Sequence, residues 1–190
     1  TGGSILRPAA FCGIVGLKPS FNVINRAGVK PNSESLDTVG LMARNVPDAA
    51  LMLTALIGQS AVDFSEQLPT LQIGFWRTPQ WPSADKATGE AFSQALPRLA
   101  KAGAHIEEVD LPAAFNEMYA AHGSISDYEV VRALEYERLH FADQISATLM
   151  KKIRQAEKCE FDRYIEAQQH AAKCRLMLND VFLNHDILLV

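Results

Sequence analysis

Apolar and polar positions change period several times along the chain. Residues 14–17 and 23–24 are short apolar runs on either side of a Lys-Pro-Ser turn and predict two strands, and residues 39–43 predict a third. Asn45 then stands as a helix N-cap, with Asp48 three residues on as its acidic partner. The helix is expected to run on through residues 49–57, with Gly58 placed to end it. Residues 59–70 form a polar connection. Residues 71–76 predict a strand, and Pro79 and Pro82 mark the loop after it. Ser83 is placed to cap a helix reaching about residue 102, with Phe92, Leu96 and Leu99 on one side and Pro97 inside it. Gly103 stops that helix and residues 104–109 return as a strand. Strand, helix, strand in this order predicts an α/β protein.

From residue 113 the pattern is helical. Phe115, Met118 and Tyr119 begin one apolar face, and Val130, Val131, Leu134 and Leu139 carry another. Ser146 is expected to cap a short helix through residue 153. Residues 160–183 predict one long helix with a stripe of Phe161, Ile165, Gln168 and Ala172, and residues 187–190 begin a strand. Neither internal repeats nor low-complexity tracts interrupt this order.

Composition narrows the classes. The chain has 190 residues, 48% hydrophobic and 21% charged, as in an ordinary globular domain with a sizeable core. Its net charge is −4 and its acids are scattered, so no basic patch points to nucleic acid. The longest apolar run, residues 49–57, is too short to cross a bilayer. Cys12, Cys159 and Cys174 are too few and dispersed for a disulfide framework, which favours reduced thiols and a cytoplasmic setting. Cys12 follows Phe11 and reads as a buried small hydrophobe. The histidines lack zinc-like spacing; His170 and Cys174, four apart on a helix, are two ligands and not a site.

The chemistry concentrates at Thr1-Gly2-Gly3-Ser4-Ile5-Leu6-Arg7-Pro8. Two glycines let the backbone turn tightly ahead of a serine, and an apolar segment follows where a helix can start. A hydroxyl, free amides and the positive end of a helix then meet, as at a serine nucleophile beside an oxyanion hole. Gly16-Leu17-Lys18-Pro19-Ser20, Arg26-Ala27-Gly28-Val29-Lys30-Pro31, Ser35-Leu36-Asp37-Thr38-Val39-Gly40, Met42-Ala43-Arg44 and Asp48-Ala49-Ala50-Leu51 follow in order. Together with Gly2-Gly3-Ser4 they resemble the amidase signature family of serine hydrolases, clearly over residues 1–58 and more softly to the end.

The resemblance implies a three-layer α/β/α sandwich with a mixed central sheet. It makes residues 1–190 a partial amidase domain: signature core 1–58, connection 59–70, strand-helix-strand 71–112, and a helical segment 113–190 ending in a strand. It places the nucleophile on Ser4 and the oxyanion hole on the backbone N–H groups of Thr1, Gly2, Gly3 and Ser4. Arg7 is read as tying down the loop around Ser4. The family uses a Ser–Ser–Lys triad, and its bridging serine and lysine fall ahead of Thr1. The chain is therefore expected to be an internal fragment beginning at the nucleophile motif, nearly inactive by itself because Ser4 lacks a base. Two substitutes within the chain read more simply as structure: Lys18 as an exposed or hydrogen-bonded lysine, and Ser83 of the Ser-x-x-Lys to Lys86 as a helix cap. For Thr1 as an N-terminal nucleophile, the Gly-Gly-Ser signature fits an internal cut of a longer chain better.

The implied activity is hydrolysis of a small-molecule carboxamide through an acyl-enzyme, with no cofactor, no metal and no direct contact with nucleic acid or membrane. One alternative is the amidase subunit of a glutamyl-tRNA amidotransferase, which would need partner subunits. The other is a non-catalytic α/β fragment. Homo-oligomerisation stays open, as does the substrate.

Overall fold

The computed structural model of the chain describes residues 2–60, 62–64 and 69–190. In chain order its elements are α1 (Leu6–Phe11), β1 (Val15–Leu17), β2 (Leu41–Ala43), α2 (Val46–Ile57), β3 (Gln72–Phe75), α3 (Lys86–Lys101) and β4 (His105–Glu108). They continue with α4 (Met118–Ala133), α5 (Glu135–His140), α6 (Ala147–Ala156), α7 (Phe161–Val181) and β5 (Ile187–Leu189). The chain divides into two compact units, Thr1–Glu66 with Gly123–Tyr164, and Gln67–His122 with Ile165–Val190. The expected connection at residues 59–70 lies partly outside the described residues, and its described part has no helix or strand.

In the first unit β1 pairs antiparallel with β2, Gly16 opposite Met42. The strand expected at residues 23–24 does not form. Asn22 takes a positive φ of 61° and the Val23 N–H closes a turn onto the Ser20 carbonyl, so the chain bends there. Ile24 is still buried, as a loop residue. Helix α1 packs on β1 through contacts that leave no room for a side chain. A Cβ on Gly16 would stand 2.8 Å from the Ala9 Cβ, and one on Gly40 would stand 2.8 Å from the Leu17 carbonyl oxygen and within the Ile5 side chain. Helix α2 has the expected ends. Asn45 accepts from the Asp48 N–H at 2.8 Å, and Gly58 ends the helix at φ 68°. Ile125, Val130, Ile153 and Ala156 add the buried core of the later helices in this unit.

Two expectations for this unit change. Cys12 is exposed, not buried, and Phe11 beside it is 89% exposed. The short α1 turns Ala9 inward, and the two residues at its end fall on the other side. Leu139, expected on an apolar face, is exposed on α5.

In the second unit β3 runs parallel to β4 on one side and to β5 on the other. Asp186 sets the entry of β5: its N–H donates to the Gln72 carbonyl, and its carboxylate accepts the Gln72 N–H. Helix α3 packs on β4, and Phe92, on its expected face, meets Phe75 and Trp81. The N-cap of α3 is Asp85, which accepts from the Thr88 N–H at 2.7 Å, and not Ser83, which lies in a 3-10 turn. The last helix buries Ala167 and Cys174, seven residues apart, while Phe161 and Ala172 of the expected stripe are exposed. Tyr119, expected on an apolar face of α4, is exposed as well.

The α/β class expected from the strand and helix order is what the chain adopts. The antiparallel and parallel pairings that a mixed sheet combines fall in the first and second unit respectively. A Gly40→Ala substitution sets a methyl against the Leu17 carbonyl, so it is expected to cost about 1–3 kcal/mol. Chemical denaturation checks this; an unchanged midpoint would show that α1 does not need the close approach.

Candidate active site

Ser4 and Ile5 form a turn ahead of α1, and the Gly3 carbonyl accepts the Arg7 N–H at 2.9 Å. That bond makes Gly3 the first acceptor of the helix, so N–H groups ahead of Arg7 have no acceptor within the helix. Gly3 has a φ of +89°, a region that residues with a Cβ avoid. The six-residue α1 is short, so its dipole adds little here and the turn itself sets the geometry. Ile5 is seated in the space left by Gly40, which fixes the residue immediately after Ser4.

Ser4 is exposed and lines a cavity of about 310 Å³. Its other walls come from Arg26, Val29, Lys30, Pro31 and Asn32, then Glu34, Asp37, Thr38 and Val39. The wall charges are paired within the first unit. Arg26 donates to the Glu34 carbonyl at 2.9 Å and to its carboxylate at 3.0 Å, and Lys30 meets Glu137 at 3.0 Å. Asp37 ties its loop to itself, accepting the N–H groups of Asn32 at 2.6 Å and Ser33 at 2.9 Å. Of the residues expected at the site, Ser4, Gly2 and Gly3 are exposed in one turn and Arg7 follows within α1. Thr1 lies outside the described residues. Lys18 donates to the Pro19 carbonyl at 2.9 Å. Among the described residues no group of three or more His, Cys, Asp or Glu side chains is placed to hold a metal ion.

Behind the cavity wall sits a buried carboxylate that the sequence pattern does not single out. Glu129 on α4 is 8% exposed. It accepts from the Ser33 hydroxyl at 2.5 Å, the Ser35 N–H at 2.9 Å and the Tyr164 hydroxyl at 2.9 Å. A glutamate beside buried Val130 and one turn after buried Ile125 is the only signal for it. Burial pushes its carboxyl up, but the donors from Ser33, Ser35 and Tyr164 outweigh that, and it ends below the usual carboxylate range. Tyr164 moves the other way, pushed up to about 12 by burial and by Glu129.

An exposed serine, directly after a glycine of positive φ, thus opens onto a cavity on an α/β frame. The amidase family profile matches residues 1–185, and the chain belongs to that family. It is 30% identical to a glutamyl-tRNA(Gln) amidotransferase subunit of Listeria innocua, over the whole of this chain and 47% of that protein. The namesake protein of Microcystis aeruginosa is 38% identical over 59% of this chain and 26% of its own length. Among solved structures, one described as an amidase superposes with a TM-score of 0.86 at 26% identity, over 99% of this chain and 42% of that one. A 6-aminohexanoate cyclic dimer hydrolase shares the fold, with a TM-score of 0.77 at 20% identity over 96% of this chain and 43% of its own. The chain thus spans less than half the length of these relatives.

The Glu129 bonds carry a pH dependence. Its folded pKa lies below the unfolded value of about 4.3, so its contribution is complete above that value and fades as pH falls through the folded one. Tyr164, raised in the fold, contributes fully below about pH 10 and loses that as pH rises toward 12. The melting temperature is expected to fall more steeply below about pH 4.5 in the wild type than in Glu129→Gln. Parallel curves in thermal scans would contradict this.

Proposed function

We propose that Ser4 is the nucleophile of a carboxamide-cleaving centre. Its Oγ attacks the amide carbonyl, and the backbone N–H groups of Thr1, Gly2, Gly3 and Ser4 receive the oxyanion. The C–N bond breaks, ammonia or an amine leaves with a proton, and water clears the acyl-serine to a carboxylate. The observation that carries this reading is the exposure of Ser4 on a wall of the cavity, directly after a glycine with positive φ. One lost oxyanion donor typically costs about 3–4 kcal/mol of barrier, so the glycine turn matters nearly as much as the hydroxyl. Arg7 is read as tying down this loop; its backbone N–H, which any residue but proline would offer, closes the turn on the Gly3 carbonyl.

The base is a separate matter. The family pattern supplies it through a bridging serine and a lysine that no residue of this chain matches. We infer that residues 1–190 taken alone, without that base, hydrolyse amides only weakly. The free cysteines suit a cytoplasmic setting.

A second reading, an amidase subunit that feeds ammonia from glutamine to a charged tRNA, is favoured by the name of the Listeria innocua relative that matches along the whole of this chain. Ammonia release from glutamine, compared with release from small aryl amides, separates the two. A non-catalytic fragment is the remaining alternative.

Fluorophosphonate labelling of the native polypeptide that carries these residues is the direct test. The label is expected on Ser4, and Ser4→Ala is expected to lower kcat for amide hydrolysis by at least about 10³-fold. Undiminished hydrolysis by Ser4→Ala would overturn the assignment. Turnover by the isolated chain in the ordinary enzymatic range, about 1–10³ s⁻¹, would overturn the missing-base argument.

A further inference from the structure

The loop at residues 32–37 has two sides. Asn32 and Glu34 line the cavity onto which Ser4 opens, while Ser33 and Ser35, alternating with them, donate to Glu129. Ser33 is fully buried and its hydroxyl meets the carboxylate at 2.5 Å. Within the loop, Asp37 accepts the N–H groups of Asn32 and Ser33. Arg26 fixes Glu34 from the cavity side. Glu129 fixes the opposite side and links it to α4 and, through Tyr164, to α7. Its second oxygen is taken by the Tyr164 hydroxyl, and Tyr164 stacks on Tyr128 with ring centres 4.2 Å apart.

We infer that Glu129 is a positioning residue for substrate binding: from α4 it holds the 32–37 loop as the wall of the cavity beside Ser4. This rests on the reading of Ser4 as nucleophile. Glu129 does not line the cavity, so its effect passes through Ser33 and Ser35 to their neighbours. A wall fixed before the ligand arrives spares the ligand the cost of ordering it. Without the carboxylate, three donors lose their acceptor and the loop must be ordered on each binding event. That penalty falls on KM. It falls less on kcat, because Ser4 is held by the Gly3 turn and by Ile5 against Gly40.

The test uses the native polypeptide with a small aryl amide, and amide hydrogen exchange of the loop. Glu129→Ala is expected to raise KM about tenfold while kcat changes less than about threefold. Exchange at Asn32, Ser33, Ser35 and Asp37 is expected to speed up ahead of exchange in β1 and β2. Glu129→Gln should restore KM to within about threefold. Its amide oxygen still accepts from Ser33 and Ser35, and its NH2 meets the Tyr164 oxygen. An unchanged KM, an equal loss in Gln and Ala, or exchange unchanged across the loop would overturn the inference.

If Glu129→Ala does not accumulate folded, Tyr164→Phe removes one donor and keeps the ring. It must still raise KM and quicken loop exchange, and no change in either overturns the inference. Ser4→Ala run alongside keeps the two readings apart. Retained hydrolysis there defeats the nucleophile assignment, while the exchange data still decide whether Glu129 holds the loop.

Discussion

A carboxylate taken out of water is costly unless its lone pairs are filled, and Glu129 has them filled from separate stretches of chain. Ser33 lies 96 residues from Glu129 and Tyr164 lies 35 residues on the other side. The group therefore acts as a specification: a helix, a loop and a second helix must arrive together, or a charge is left buried without a partner. Removing one partner of such a set costs more than the net worth of the set suggests, since the penalty is desolvation left uncompensated. The cavity wall beside Ser4 inherits its definition from that demand.

A second constraint acts from the opposite side of the turn and is steric rather than electrostatic. Gly16 and Gly40 strip two Cβ atoms from the face on which α1 rests. The helix can then approach until Ala9 and Ile5 fill the gap, and the serine one residue earlier is carried to the surface. Close packing makes this all-or-none, because a dense interior transmits a displaced methylene instead of absorbing it. An exposed hydroxyl in a fixed position is thus produced by buried residues that never meet a ligand.

The second unit has its own logic. Its parallel strands need a covering layer, and α3 supplies it through Phe92 against Phe75 and Trp81. Asp186 then sets the register of β5 by bonding both backbone groups of Gln72. The fold shared with the solved amidase extends over 99% of the chain, while the cavity onto which Ser4 opens is lined by residues within the first forty.

What the amino-acid order determined by itself was whatever a few neighbouring residues decide. Asn45 with Asp48, Gly58 and Gly103 were legible because a cap or a left-handed stop is settled within one turn. Gly2-Gly3-Ser4 was legible because the turn and its hydroxyl are contiguous. The cap of α3 slipped from Ser83 to Asp85, since both can accept and only the path out of Pro82 chooses between them. The stripe on α7 slipped by a residue or two because that helix carries apolar side chains on adjacent faces, and packing selected Ala167 and Cys174. The strand at residues 23–24 failed because the chain turns at Asn22, and β1 pairs with the distant β2. The Glu129 bonds left almost no trace in the sequence. Local conformational energies are written in neighbours, but a buried polar group is satisfied only by residues that the whole chain path brings to it, and that path was the tertiary structure's to decide.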